Sequence, residues 1–122
     1  LPAGRAVPPA LRALTALPLS CAEFPAAARD YPIAFVGGEG GSFAAMAVVG
    51  LEQGQNLFVA ADGTWAEGAY LPAYVRRYPF CMTRVTVSGQ ERPERIACVE
   101  KSAIGEAGEA LHDAQGRPLA AW

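Results

Sequence analysis

Two tyrosine-proline dipeptides, Tyr31-Pro32 and Tyr78-Pro79, divide the sequence in the same way. Each follows a segment of helical character and precedes a run of apolar residues. Proline ends a helix because it has no amide hydrogen and because its ring pushes the preceding residue out of the helical region. The apolar residues behind it are typical of a strand. The pattern therefore predicts short helices alternating with strands, although matches of this length also arise by chance and do not establish a duplication.

Glycine and proline are frequent, with 13 and 10 residues among 122, and they follow no collagen-like period. Leu, Ile, Val and Phe together make up 27 of the 122 residues, which is only just above the share typical of disordered chains. A chain of this length can still bury enough surface for one modest core. We therefore expect a folded but loop-rich domain.

Charge and composition exclude several classes of protein. The net charge of −2 argues against nucleic-acid binding, and the absence of an apolar run of 18 residues argues against a transmembrane segment. The cysteine count of three is low and odd, which argues against a disulfide scaffold. His112 is the single histidine, so sites that need two histidines in one chain are excluded. We expect no cofactor and no metal.

Residues 1–16 are rich in proline, alanine and arginine and predict an arm, which leaves residues 17–122 as a single domain. Ser20 and Glu23 have the spacing of a capping box, so a helix is predicted over about residues 21–29. A second helix is predicted over residues 71–78, with a proline in its first turn.

Five strands are predicted over residues 31–36, 42–50, 56–59, 80–87 and 95–99, and residues 17–19 predict a further short extended piece. Glycines at 37–41 make a turn between the first two strands, and polar residues at 88–93 make one between the last two. The second hairpin allows Cys81 to face Cys98. Residues 110–119 predict a surface segment with a turn. The expected fold is α+β, with a mostly antiparallel sheet of about five strands, two short helices and a loop-rich periphery.

Tyr70, Tyr74, Arg76 and Arg77 cluster on the second predicted helix and directly before it. One hypothesis is a surface that binds an anionic or peptide-like group, because arginine binds carboxylates through two parallel hydrogen bonds and tyrosine adds contact area. The alternative is structural and more common: the tyrosines pack the helix against the sheet, and the arginines stabilise its carboxyl end. Both interpretations are kept.

Asn56 and Trp65 are two further candidates for partner binding. Asn56 has a structural alternative, since asparagine often satisfies backbone groups at a turn. Trp65 also has one, since tryptophan buries a large area. No catalytic residue is predicted, because a cysteine nucleophile needs a base and the chain offers only His112. Whether the protein is an enzyme stays uncertain, and the balance favours a non-catalytic role.

Several segments together resemble one known family. They are residues 31–35 (YPIAF), 47–51 (AVVGL), 55–59 (QNLFV), 62–65 (DGTW) and 70–80 (YLPAYVRRYPF). They are similar to the SapC family, bacterial proteins named for a surface-layer-associated gene. Residues 108–116 resemble the loop that follows the family's central hairpin, where a phenylalanine is more usual than His112. The resemblance covers roughly residues 17–117. Since family members are about twice as long, it implies that this chain is the N-terminal half of a longer protein.

The expected function is that of a non-catalytic binding or accessory module that binds a protein or peptide partner through its Tyr/Arg helix face. That partner could be the protein's own C-terminal half or a second copy. Two alternatives stay open: half of an enzyme site completed by another chain or region, and a structural component of the surface layer or envelope. The sequence predicts no compartment.

Overall fold

The computed structural model describes residues 5–105 and 113–117. The chain forms two compact units, Leu1–Tyr78 and Pro79–Trp122. The helices are α1 (Phe24–Ala27) and α2 (Ala73–Arg76), and the strands are β1 (Ala16–Pro18), β2 (Ile33–Gly37), β3 (Phe43–Val48), β4 (Phe80–Val87) and β5 (Gln90–Val99). Single 3₁₀ turns cover Pro9–Leu11, Cys21–Glu23, Glu39–Gly41 and Lys101–Ala103. The α+β class, with antiparallel strands and two short helices, is confirmed.

The first unit contains a three-stranded antiparallel sheet in the order β1-β3-β2. The predicted hairpin between the first two apolar strands is confirmed as β2 and β3. The short extended piece predicted at residues 17–19 also pairs with β3, as strand β1. Leu17 of β1 and Ile33 of β2 both lie opposite Ala47. Leu17 and Ala47 are completely buried, so the middle of the sheet faces the core.

Aromatic rings make up much of the core because the chain has few large aliphatic side chains. Trp65 is 2% exposed and Tyr31 is 3% exposed. Phe58 stacks on Trp65, with ring centres 5.8 Å apart, and meets the edge of Tyr31 at 4.6 Å. The other members of the hydrophobic core cluster are Val7, Leu17, Ala27, Ala47, Val49 and Val75.

Residues 5–8 pack into the first unit. Val7 is 1% exposed, and its N–H donates to the Gly63 carbonyl at 2.9 Å. The Arg5 carbonyl accepts from Trp65 N at 2.8 Å. This segment is therefore part of the packing of that unit, while the division into an arm over 1–16 and one domain over 17–122 stays a prediction. Residues 1–4 lie outside the described part of the chain.

The strand predicted over residues 56–59 is wrong. Asn56 Oδ1 accepts a hydrogen bond from Phe58 N at 3.0 Å, and this local contact turns the backbone where a strand would continue. Only an isolated bridge between Val59 and Trp65 remains. The apolar character of the segment reflects packing against the core, since Phe58 and Val59 both contact it.

Both predicted helices are confirmed in place but are shorter than expected. The segment over 21–29 is a 3₁₀ turn, Cys21–Glu23, followed by α1. Its capping box is confirmed. The segment over 71–78 is helical only over α2, Ala73–Arg76. In both cases a proline lies close behind and the residues before it leave the helical region, so no further turn is added.

The second unit is built on a hairpin of β4 and β5. The polar turn predicted over residues 88–93 is wrong, because Val87 pairs with Gln90 and the turn contains only Ser88 and Gly89. Both turn residues have positive φ, 54° and 80°, as a two-residue hairpin loop requires. None of the described residues in this unit is buried. A strand exposed on both faces tolerates polar residues, which explains why polarity was a poor guide here.

The register of this hairpin places Cys81 directly opposite Cys98, so the predicted cysteine pairing is confirmed. A bulge interrupts the ladder after Arg84.

Only residues 113–117 of the segment predicted over 110–119 are described. They form a turn in which Gly116 N donates to the Asp113 carbonyl at 2.9 Å. The other residues of that segment, including His112, lie outside the described residues. Neither α1, α2 nor any other described helix has the length and hydropathy needed to span a membrane.

Candidate functional site

The backbone just before α2 is held from three sides at Tyr70. Its N–H donates to Asp30 Oδ2 at 2.7 Å. Its carbonyl accepts from the Tyr31 hydroxyl and from Trp65 Nε1, the latter at 3.1 Å. Burial raises the pKa of the Tyr31 phenol above its ordinary value, so this group stays a hydrogen-bond donor. Tyr70 therefore has a fixed position from which its side chain reaches the surface.

Arg5 fixes the loop that leads to Tyr70. Its guanidinium donates to the carbonyls of Trp65 at 3.3 Å and Ala66 at 2.8 Å, and also to that of Ala69. Backbone carbonyls at a loop need such donors when strand or helix partners are missing. The loop thus enters α2 with its conformation already determined.

Glu23 is a buried carboxylate beneath the same surface, with 7% of its area exposed. Oε1 accepts from Ala73 N at 2.7 Å and from the Tyr70 hydroxyl at 3.1 Å. Oε2 accepts from Ser20 N and Ser20 Oγ, each at 2.9 Å. Burial opposes ionisation, but these four hydrogen bonds outweigh it and hold the pKa of Glu23 below its ordinary value.

Arg76 is connected to this buried carboxylate through Tyr70. Its Nη2 donates to the Tyr70 hydroxyl at 3.1 Å, and its Nε donates to the Leu71 carbonyl at 3.0 Å. The guanidinium carbon lies 5.7 Å from the centre of the Tyr70 ring, within cation–π range. The Tyr70 hydroxyl accepts from Arg76 and donates to Glu23, so it joins an exposed cation to a buried anion.

Arg77 lies over the second tyrosine of the site. Its guanidinium carbon is 4.4 Å from the centre of the Tyr74 ring. Tyr74 is half-buried and packs against the core, whereas Arg77 is exposed. The half-buried Tyr74 ring therefore orients the Arg77 guanidinium at the surface.

Neither of these arginines is neutralised by a carboxylate within residues 5–105 and 113–117. The ion pairs found there join Arg84 to Glu91 and Arg117 to Asp113. Since Arg76 uses its Nε and one Nη2 hydrogen within the protein, its Nη1 donors stay free of described partners. Arg77 makes no side-chain hydrogen bond to a described residue. The two guanidiniums can therefore bind an external anion.

The structure brings four of the six predicted site residues together, namely Tyr70, Tyr74, Arg76 and Arg77. Trp65 lies in the core beneath them and supports the backbone of Tyr70. Asn56 shapes the turn before Phe58, and its Nδ2 atom is buried without a hydrogen-bond partner among the described residues. Both residues thus occupy the structural positions given above as their alternatives.

The sequence interpretation missed the contribution of Glu23 and Asp30 to this site. The capping-box spacing indicated a contact between Glu23 and Ser20, but not the contacts with Tyr70 and Ala73 about 50 residues away. Asp30 shows no sequence signal for its bond to Tyr70. In the described part of the chain, no group of three His, Cys, Asp or Glu side chains is arranged to hold a metal ion.

The comparisons with known proteins add one finding. The family model described as SapC matches residues 7–122, a range that contains every residue of this site except the supporting Arg5. No curated protein and no solved structure matches the chain. A match over nearly the whole sequence establishes membership: the chain belongs to the SapC family.

Proposed function

We propose that this protein is a non-catalytic binding module whose Tyr70, Tyr74, Arg76 and Arg77 side chains bind a carboxylate-bearing segment of a protein or peptide partner. One observation carries the proposal. Two exposed guanidiniums each lie over a tyrosine ring, and neither has a carboxylate partner among the described residues. Surface cations oriented in this way favour recognition of an anion over general solubility.

The chemistry of arginine fits carboxylates best. A guanidinium donates two parallel hydrogen bonds to the two oxygens of a carboxylate, which adds geometric selectivity to charge attraction. The tyrosine rings beneath the arginines restrict their side chains before binding, so less conformational entropy is lost when the complex forms. The edges of the rings add apolar contact area for a peptide chain.

Binding of a fluorescent tetraglutamate peptide, measured by anisotropy on the full chain, tests the proposal. Arg77→Ala should weaken binding by about tenfold, the loss expected for one charge-assisted hydrogen-bonded contact. Tyr74→Ala should also weaken peptide binding, because the Arg77 guanidinium then loses the aromatic ring that orients it. Arg92→Ala is the matched control: it removes one exposed positive charge from β5 and should leave the affinity unchanged.

Two results would refute the proposal. Equal losses for Arg77→Ala and Arg92→Ala would mean that the peptide responds only to net charge. Unchanged binding for both Arg77→Ala and Tyr74→Ala would place the binding surface elsewhere. A circular dichroism spectrum of each variant, compared with that of the natural chain, shows that the fold is retained.

A further inference from the structure

Cys81 and Cys98 are direct partners in the β4–β5 hairpin. They lie opposite each other in an unbroken stretch of the ladder, between the pairs Phe80–Val99 and Met82–Ala97. Directly opposite residues of an antiparallel pair project from the same face, with Cα atoms about 4.5–5.5 Å apart. Disulfides span Cα separations of about 4.4–6.8 Å. The backbone therefore holds this pair at a separation that a disulfide can bridge.

Both thiols are free and partly exposed. None of the described residues of the hairpin unit is buried, so a reagent can reach the pair without unfolding a core. The third cysteine, Cys21, is exposed in a 3₁₀ turn of the other unit and has no cysteine opposite it. Oxidation should therefore distinguish the paired cysteines from Cys21.

We propose that Cys81 and Cys98 form an oxidisable dithiol, which a small-molecule disulfide converts into a cross-strand disulfide. One thiolate attacks a sulfur of the oxidant, forming a mixed disulfide and releasing one thiol. The second thiolate attacks the protein sulfur of that mixed disulfide, forming the Cys81–Cys98 bond and releasing a second thiol. Two protein thiols are oxidised, one oxidant disulfide is reduced to two thiols, and the two protons of the protein thiols pass to the released thiols.

The second step is intramolecular, which decides the product. Opposite positions on one hairpin give the second thiol a high effective concentration at the mixed disulfide. The oxidant adduct should therefore not persist at either paired cysteine, whereas Cys21 lies in a 3₁₀ turn and has no strand partner that places a thiol opposite it.

The new bond would stabilise a two-stranded hairpin that contains no buried residue in the part of the chain that the structure describes. An isolated two-stranded hairpin is only marginally stable in water, and this one has no buried side chain among its described residues. The disulfide closes a loop over residues 82–97 and restricts the open state of the hairpin. Oxidation should thus make the β4–β5 hairpin more stable against local opening.

Trypsin mapping after treatment with oxidised glutathione tests the proposal on the full chain. Cleavage after arginine and lysine releases Cys81 in residues 78–84, Cys98 in residues 96–101 and Cys21 in residues 13–29. Without reductant, we expect residues 78–84 to remain joined to residues 96–101, and residues 13–29 to carry glutathione. Added reductant should separate the joined pair.

Single variants sharpen the result. Cys21→Ser should leave the joined peptides unchanged, while Cys98→Ser should trap glutathione on Cys81. Stable glutathione on both Cys81 and Cys98 of the natural chain, or a bond from either of them to Cys21, would overturn the proposal. So would failure of the pair to react under conditions in which Cys21 does.

Amide exchange provides a second test that does not depend on any variant. Oxidation should slow exchange of the hydrogen-bonded β4 and β5 amides by roughly a hundredfold, as expected from closing a loop of this length. Amides of β3 should not change. Equal exchange of the hairpin amides in the oxidised and reduced chains would contradict the proposed stabilisation.

Discussion

Glu23 shows at the scale of one residue how this small protein supports its surface site. Its carboxylate is buried, yet no Lys or Arg among the described residues forms an ion pair with it. Four hydrogen bonds from Ser20, Tyr70 and Ala73 take the place of such a cation. Charge-assisted bonds of this kind are stronger than neutral ones, so one side chain connects the start of α1 to the start of α2.

Replacing Glu23 by glutamine tests this role. Glu23→Gln keeps the shape but exchanges one oxygen for an amide group, whose hydrogens would face existing donors. We expect the free energy of unfolding to fall by about 2 kcal/mol, the cost of leaving buried groups unpaired. Urea denaturation measures it. Glu67→Gln, at an exposed position, is the matched control and should stay within about 0.5 kcal/mol of the natural chain; an equally small effect at Glu23 would contradict the proposed support.

The dependence of stability on pH should also show the contribution of the ionised Glu23 carboxylate. The folded-state pKa of Glu23 lies below its ordinary value of 4.5, so the unfolded chain binds this proton more readily. The stabilisation is therefore complete above about pH 4.5 and is lost as the pH falls through the folded pKa. Asp62, whose pKa is lowered by hydrogen bonds from Thr64, acts with the same sign. Unfolding measured at successive pH values should show a shallower acid decline for Glu23→Gln, and parallel curves would refute this.

At the scale of elements, Gly50 shows how tightly the end of β3 meets the next turn. A methyl group built on Gly50 would lie 1.9 Å from the Gln55 carbonyl oxygen, and that atom belongs to the backbone. Glycine is needed here because the two segments approach too closely for any side chain. The conformation of residues 50–55 thus depends on this one position.

Gly50→Ala should accordingly be strongly destabilising. Overpacking against backbone atoms typically costs about 3 kcal/mol at its upper range, and thermal unfolding would detect that loss. Gly105→Ala is the control, since a methyl group there meets nothing within 4 Å. We expect it to change stability by less than about 0.5 kcal/mol. Similar melting temperatures for the two variants would show that the turn moves easily to admit a side chain.

Local signals in the sequence predicted these elements well, and signals that depend on distant residues did not. The glycine cluster indicated the β2–β3 hairpin, and the Ser20–Glu23 spacing indicated the cap, because each is decided by neighbouring residues. The strand expected over 56–59 fails because the Asn56 side chain competes for the backbone. The start of β5 was predicted too late because an exposed ribbon places polar residues on both faces.

For the candidate site, too, the local features could be predicted from the sequence and the contacts between distant residues could not. Arg76, Arg77 and the two tyrosines are close in sequence, so their association could be predicted. Which arginine lies over which tyrosine depends on the exact start of α2, and that start depends on Glu23. Contacts across about 50 residues leave no periodicity in the sequence, so the support beneath the site required the structure.

At the scale of the whole molecule, the two units differ in how they are stabilised. All buried side chains among the described residues belong to the first unit, Leu1–Tyr78. The described residues of the second unit, Pro79–Trp122, include the hydrogen-bonded β4–β5 hairpin and none that is buried. Since apolar burial is the main driving force for folding, the two units should not be equally stable.

In the reduced chain, amide exchange should therefore be slower in strands before Tyr78 than in strands after it. The β3 amides should exchange only through opening of the core, whereas the β4 and β5 amides should exchange through local opening and be lost earlier. Mass-resolved peptides from each unit would show the difference. A single exchange rate for strands of both units would mean that they unfold together, which would contradict this account.

The central claim is that Arg76 and Arg77 form the contact with a carboxylate-bearing partner. The most direct measurement is a titration of the full chain with tetraglutamate, followed through the arginine side-chain Nε–Hε signals by NMR. A mildly acidic buffer keeps the signals visible while the peptide carboxylates stay ionised. Arg76 and Arg77 should show saturable shifts, and Arg92 should show none. Shifts at Arg92 as large as those at Arg77, or none at Arg76 and Arg77 while the peptide binds, would contradict it.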